Sequence, residues 1–125
     1  MKLLIAEDER INQLYLSHLL KRAGHDVIIA SDGEAVLAAV GDHSFDAILM
    51  DIEMPKVDGA EATRRIRAGE SGRTAQSVPI IALSAHAAAS DHEAFLAAGA
   101  SDVLTKPVDE SDLLSRLDRI GNGVQ

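Results

Sequence analysis

The chain alternates between short apolar runs and longer amphipathic stretches. Each run has the length of a β-strand, is mostly rich in branched side chains and is bounded by polar or turn-forming residues; the runs cover 3–6, 27–30, 47–50, 80–83 and 102–104. Because the first four runs are apolar throughout and do not alternate with polar residues, they predict strands that are covered on both faces.

The stretches between the runs carry the pattern of α-helices. The first stretch predicts a helix that ends near Gly24 and whose apolar face is formed by Ile11, Leu14, Tyr15 and Leu19. Further helices are predicted after Asp32, which can act as a cap, over 60–68, over 87–98, and after Asp109.

This order of elements predicts the fold class. Five strands in strict alternation with five helices indicate an α/β fold, a single-domain (βα)5 doubly wound parallel sheet with right-handed crossovers and helices on both faces. We expect one domain over 1–120 and a frayed C-terminal tail over 121–125.

Composition narrows the range of functions. The 125 residues have a formal net charge of −8 and only 2% aromatic side chains, which argues against direct binding of nucleic acid. The chain has no Cys, so thiolate metal sites and Cys nucleophiles are excluded. No apolar run approaches the ~18 residues that a membrane span needs, and the N-terminal run is too short for a signal peptide. We therefore expect a cytoplasmic domain with no direct membrane contact.

Polar side chains stand where four of the predicted strands end. Glu7 and Asp8 follow the first strand, while Asp51, Ser84 and Lys106 stand at or just after the ends of the third, fourth and fifth strands. Ligands of open α/β sheets bind outside these carboxyl ends. If the first and third strands are neighbours, three carboxylates crowd one pocket, and a cation must offset their repulsion. Oxygen ligands without His or Cys favour Mg²⁺, Mn²⁺ or Ca²⁺, of which Mg²⁺ fits best.

Two of these residues complete a site for a phosphoryl group. An ammonium from Lys106 and a hydroxyl from Ser84, together with Mg²⁺, are groups that neutralise phosphoryl oxygens during transfer. Asp51 supplies a nucleophile, since carboxylates can form aspartyl phosphates. A single Asp at a strand end is more often a cap, but five such residues at the ligand ends of four strands favour a functional site.

Four motifs resemble the receiver domain of two-component response regulators. They are AEDE at 6–9, LMDIEMPKVDG at 49–59, PIIALSA at 79–85 and TKP at 105–107, and the resemblance extends from residue 2 to about residue 120. RIN at 10–12 and ALSAHA at 82–87 are most similar to receivers of hybrid histidine kinases. The resemblance implies a flavodoxin-like strand order of 2-1-3-4-5 and a phosphorelay function, with a histidine kinase or a histidine phosphotransfer domain as partner.

The resemblance also implies a role for each matching position. Asp51 would be the phospho-acceptor, Ser84 the switch hydroxyl, and Lys106 the cation that faces the phosphate, followed by a cis peptide bond to Pro107. The implied ligands of Mg²⁺ (or Mn²⁺) are Asp8, Asp51, the backbone carbonyl of Glu53 and, through water, Glu7.

Two further positions concern the output of such a domain. Val103 stands where the family often has Tyr or Phe, an aromatic ring that moves inward on phosphorylation, so we expect a weaker switch here. His86 would lie on the rim of the pocket, where the family controls access of the attacking water.

Two alternative functions remain open. A Mg²⁺-dependent phosphatase with an Asp nucleophile, of the haloacid dehalogenase type, requires a nucleophile in the first strand and a second Asp two residues later, where this chain has Glu53. A pseudo-receiver would bind its partners without phosphorylation, although all five residues needed for the chemistry are present.

Overall fold

The computed structural model describes residues 1–85 and 88–121 as strands that alternate with helices. The strands are β1 (Lys2–Ala6), β2 (Asp26–Ala30), β3 (Ala47–Asp51), β4 (Ile80–Ser84) and β5 (Asp102–Thr105). The helices are α1 (Arg10–Arg22), α2 (Gly33–Asp42), α3 (Gly59–Arg67), α4 (Ala89–Ala98) and α5 (Glu110–Gly121). Each strand contains its predicted run and is one residue longer at one end.

The five strands are parallel in the order β2-β1-β3-β4-β5, which confirms the predicted fold class. Ala6 in β1 pairs with Met50 in β3, and Ser84 in β4 pairs with Thr105 in β5. The carboxyl ends of β1, β3, β4 and β5 therefore meet at one edge of the sheet, and the residues that follow these strands are brought together.

Each face of the sheet buries its own apolar cluster. Leu3 of β1 and Leu117 of α5 belong to one cluster, which also includes side chains of α1. Leu4 of β1 and Ile66 of α3 belong to the other, which also includes side chains of α2. Because successive side chains of a strand point to opposite faces, a strand buried on both faces must be apolar throughout, as residues 3–6 of β1 are.

The predicted apolar face of α1 is wrong for three of its four residues. Ile11, Leu14 and Tyr15 are 79%, 52% and 47% exposed, whereas only Leu19 is buried as expected. The buried face of α1 instead consists of Gln13, Leu16, Ser17, Leu19 and Leu20. The helix carries apolar side chains on two sides, and polar Gln13 can lie on the buried side because its side-chain amide finds hydrogen-bond partners there.

Aspartate side chains cap three of the helices. Asp32, Asp58 and Asp109 each accept a hydrogen bond, at 2.8–2.9 Å, from the backbone N–H of the third residue along, at the starts of α2, α3 and α5. The helix predicted over 87–98 corresponds to α4; its predicted first residue, Ala87, lies outside the described residues, as does 122–125 of the predicted tail. Within the described ranges, every helix is too short or too polar to span a membrane.

Candidate functional site

Three carboxylates meet at the edge of the sheet where the central strands end. Glu7 directly follows β1, Asp8 comes next, and Asp51 is the last residue of β3. One carboxylate oxygen from each of the three lies within 4.8 Å of the others. Glu7 is fully buried and Asp51 is 3% exposed, while Asp8 faces solvent. The adjacent positions of β1 and β3 produce this cluster, as the strand ends predict.

Lys106 connects two of these carboxylates. Its Nζ lies 3.1 Å from Oδ1 of Asp51 and 3.2 Å from Oε2 of Glu7. Lys106 directly follows β5, and its backbone N–H donates to the carbonyl of Ser84 at 2.7 Å. The peptide bond between Lys106 and Pro107 is cis. The ammonium is therefore held between two buried acids at the end of the sheet.

The surroundings of Asp51 make its carboxyl group easier to protonate than it would be in water. Burial and the negative charge of Glu7 raise the pKa of Asp51 from 3.8 to about 6, although Lys106 and the backbone N–H of Glu53 act in the opposite direction. Burial by itself would lower the pKa of Lys106, but the hydrogen bonds and charges of Asp51 and Glu7 outweigh burial and raise it. The Lys106 ammonium therefore does not fully offset the burial of Asp51 and the negative charge of Glu7.

The donor set suits a hard divalent cation. The clustered ligand atoms of Glu7, Asp8 and Asp51 are all carboxylate oxygens, and the cluster contains no imidazole or thiolate. This chemistry matches Mg²⁺ or a similar ion, which takes oxygen ligands and commonly keeps several waters. An exposed Asp8 beside two buried acids leaves the cluster accessible from solvent.

The remaining residues predicted for the site lie around this cluster. Glu53 has an exposed side chain, and its backbone N–H donates to Oδ1 of Asp51 at 3.2 Å. Ser84 ends β4 and is 2% exposed. Val103 lies in β5 and is half-buried. His86, predicted for the rim, lies outside the described residues.

Two residues of α1 hold Glu7, in the loop between β1 and α1, but were not predicted from the sequence. The side-chain amide of Gln13 donates to the carbonyl of Glu7 at 2.6 Å and to Oγ of Ser31 at 3.1 Å. The amide of Asn12 donates to Oε1 of Glu7 at 3.3 Å. Gln13 lies three residues before Leu16, a spacing that places both side chains on one face of a helix. This spacing was the sequence signal that could have indicated the burial of Gln13.

A cleft opens beside Lys106, between α1 and the segment before α5. It is lined by Glu7, Asn12, Tyr15, Leu16, Leu83, Lys106, Pro107 and Val108. The Tyr15 hydroxyl crosses the cleft and donates to the carbonyl of Val108 at 3.0 Å. A larger cleft lies at the opposite end of β4 and β5, where Asp102 pairs with Arg116, away from the acidic cluster.

Comparison with known proteins agrees with this geometry. A family model described as the response regulator receiver domain matches residues 3–118. The sensor protein GacS of Pseudomonas syringae pv. syringae is 41% identical over 112 residues, which cover 90% of this chain and 12% of GacS. The chain thus spans about an eighth of the length of that relative.

Solved structures of receiver domains are also similar to this chain. The receiver domain of the sensor histidine kinase PA1611 from Pseudomonas aeruginosa PAO1, with a magnesium ion coordinated in its active site cleft, superposes with a TM-score of 0.85 at 41% identity over 96% of this chain and 97% of that one. The receiver domain of Saccharomyces cerevisiae Ssk1, solved with the histidine phosphotransfer protein Ypd1, is also similar: the TM-score is 0.89 at 29% identity, covering 97% of this chain and 88% of the matched chain.

Proposed function

The chain belongs to the response regulator receiver domain family, and from this membership we propose that it accepts a phosphoryl group on Asp51 within a two-component phosphorelay. The donor is a phosphorylated histidine of a histidine kinase or of a histidine phosphotransfer protein. The observation that carries the proposal is the buried Asp51 carboxylate, 3.1 Å from the Lys106 ammonium and next to Glu7 and Asp8.

The transfer is an in-line displacement at phosphorus. A carboxylate oxygen of Asp51 forms the new P–O bond, and the P–N bond to the donor imidazole breaks, with its electron pair returning to nitrogen. Asp51 must be ionised to attack, and a pKa of about 6 leaves most of it ionised at neutral pH. Lys106 and the N–H of Glu53 both engage Oδ1 of Asp51, which orients the carboxylate.

A divalent metal completes the site in this proposal. Asp8, Asp51 and the backbone carbonyl of Glu53 hold Mg²⁺, with Mn²⁺ as a substitute, and Glu7 contributes through water. When bound, the metal neutralises charge on the phosphoryl oxygens. The oxygen-only donor set and the accessible Asp8 carboxylate support this assignment, as does the magnesium ion in the PA1611 receiver.

Lys106 and Ser84 act after the transfer. The ammonium that pairs with Asp51 before the reaction pairs with the phosphoryl oxygens afterwards. The hydroxyl of Ser84, at the end of β4, donates a hydrogen bond to a phosphoryl oxygen and thereby reports phosphorylation to the segment that follows β4. Support for this role comes from Ser84 lying in register with Thr105, directly before Lys106.

The exposed apolar face of α1 is the docking surface for the donor protein. Ile11, Leu14 and Tyr15 are exposed, and Tyr15 lines the cleft next to Lys106. A protein that brings a phosphohistidine to Asp51 must cover the surface around this cleft, and apolar side chains gain free energy when they are covered. The Ssk1 receiver, which was solved with a histidine phosphotransfer protein, supports a partner of this class.

The proposal also includes a cytoplasmic location, since a chain without Cys suits a reducing compartment.

Intact-mass measurement tests the proposal. Wild-type protein incubated with acetyl phosphate and Mg²⁺ should gain one acid-labile phosphoryl group, and Asp51→Asn should gain none. Asp42→Asn, an exposed carboxylate at the end of α2, is the matched control and should behave like the wild type. Equal labelling of wild type and Asp51→Asn would overturn the acceptor assignment, and no labelling of the wild type would favour the pseudo-receiver alternative.

A further inference from the structure

The loop that follows Asp51, residues 52–58, packs against the first turn of α2. A Cβ atom added to Gly33, the first residue of α2, would overlap the carbonyl oxygen of Val57 and lie 2.6 Å from its carbonyl carbon. Backbone atoms at this distance cannot give way as a flexible side chain can. Residue 33 must therefore lack a side chain for the loop to occupy its observed position.

Close approach, rather than backbone conformation, accounts for Gly33. The described glycines with positive φ are Gly24, Gly69, Gly72 and Gly99, so Gly33 has a backbone conformation open to other residues. Glycine is also among the poorest helix formers, so α2 itself gains nothing from it. The contact with Val57 is the reason that remains.

A second contact holds the same loop. Lys56 has a left-handed backbone conformation, with φ 67°, which is uncommon for a residue with a side chain. Its Nζ lies 3.5 Å from Oδ2 of Asp32 and 3.9 Å from Oε2 of Glu34, the residues on either side of Gly33. These pairs are mostly exposed and individually weak. Together with the Val57 contact, they fasten the loop to α2 at two successive residues.

The loop in turn determines the surroundings of the acceptor. The N–H of Glu53, near its start, donates to Oδ1 of Asp51 at 3.2 Å. The N–H of Gly59, just after its end, donates to the carbonyl of Ile52 at 3.0 Å. A displacement at Val57 therefore reaches Glu53 through a short loop that is closed at both ends.

We propose that Gly33 is a positioning residue of the acceptor site, which acts through Val57 to hold the loop after Asp51 and so places the backbone of Glu53. The inference rests on the proposed function of Asp51 and extends it to a helix that contributes no side chain to the acidic cluster.

Gly33→Ala tests the inference, and α2 provides a matched control. A Cβ at Gly41, in the same helix, meets no atom within 4 Å, so Gly41→Ala makes the same chemical change without displacing the loop. Two quantities are measured: the Glu53 amide chemical shift in metal-free protein and the Mg²⁺ concentration that half-saturates binding. In Gly33→Ala the Glu53 shift should change and half-saturation should require about tenfold more Mg²⁺, whereas Gly41→Ala should match the wild type. A Gly33→Ala protein with wild-type values of both quantities would overturn the inference.

A second pair of variants gives an answer if Gly33→Ala fails to fold. Lys56→Gly and Lys56→Ile both lose the ion pairs, but only glycine retains the left-handed backbone without strain. Half-saturation should therefore require more Mg²⁺ in Lys56→Ile than in Lys56→Gly. Equal values would mean that the position of this loop does not affect the metal site, which would overturn the inference. Failure of the wild type to accept a phosphoryl group would instead contradict the proposed function, because the metal-free Glu53 shift does not depend on phosphorylation.

Discussion

The Nζ atom of Lys106 lies 3.1 Å from Oδ1 of Asp51, although the strands that carry the two residues are not neighbours. Asp51 ends β3, Lys106 follows β5, and β4 separates the two strands. The long lysine side chain crosses the end of β4 to reach the acid. The pair therefore depends on the register of three strands, and a shift of either ladder would separate it.

Asp51→Asn should stabilise the metal-free protein. Because the folded state raises the pKa of Asp51 from 3.8 to about 6, it binds more protons than the unfolded state between these values, and the wild type loses stability as pH rises through that window. The variant avoids this cost, so its free energy of unfolding at neutral pH should exceed that of the wild type by about 1–3 kcal/mol.

Urea unfolding followed by circular dichroism at several pH values checks this expectation. The advantage of the variant should shrink as pH falls from about 6 to about 4, the window set by the raised pKa of Asp51. A difference that stays constant across this window, or a variant less stable than the wild type at neutral pH, would contradict it.

Asp8→Ala should abolish stabilisation by Mg²⁺. A ligand that binds only the folded state at a hundred times its Kd stabilises by about 2.7 kcal/mol, so Mg²⁺ should raise the unfolding midpoint of the wild type. Asp8 is the exposed member of the carboxylate cluster, and its loss removes a proposed direct ligand. Differential scanning calorimetry with and without Mg²⁺ measures the effect, with Asp42→Ala as the control; an undiminished shift in Asp8→Ala would move the metal elsewhere.

Replacing the exposed apolar residues of α1 should slow phosphorylation by protein donors but not by small-molecule donors. Ile11→Ser and Leu14→Ser should slow phosphoryl transfer from a histidine phosphotransfer domain by about tenfold or more, because lost apolar contact weakens docking. Phosphorylation by acetyl phosphate should be unchanged, since both side chains point away from the core. Leu96→Ser, the same kind of change at an exposed apolar position of α4, is the control. Equal slowing with both donors would place the defect in the site rather than in docking.

Val103 should limit the conformational response to phosphorylation. A half-buried valine offers no ring that can move between exposed and buried positions, and a modification shifts an equilibrium only by its differential interaction with the two states. NMR with beryllofluoride should show shift changes centred on Ser84 and Lys106 that fade before Leu113. Val103→Tyr should extend them. A large repacking of α4 and α5 in the wild type would contradict the expectation.

The central strands were predictable because burial on both faces requires an uninterrupted run of apolar residues, which is visible in the sequence. Runs such as 47–50 are apolar at every position, as burial between two helical layers requires. The equally apolar run of β2 lies at the edge of the sheet, and its Ile29 is 36% exposed. The acidic cluster followed from the strand ends, since a parallel sheet brings Glu7 and Asp51 to the same edge.

The orientation of α1 and the supporting contacts were not predictable in the same way. Ile11 and Leu14 have the spacing of a buried face, and only the tertiary hydrogen bonds of Gln13 show that the opposite side is buried. The role of Gly33, in α2, depends on the position of Val57, a residue of the loop between β3 and α3, and local sequence carries no signal for such an approach.

Tyr15, whose hydroxyl bonds to the carbonyl of Val108 across the cleft, is also the only tyrosine of a chain that has no tryptophan. The near-ultraviolet absorption and the intrinsic fluorescence of the unlabelled protein therefore come almost entirely from one ring, which stands beside Lys106. Quenching or a change in emission anisotropy would report directly on this edge of the sheet. The domain thus carries its own fluorophore at the place where a donor would arrive, and stopped-flow measurements could follow that arrival without a dye.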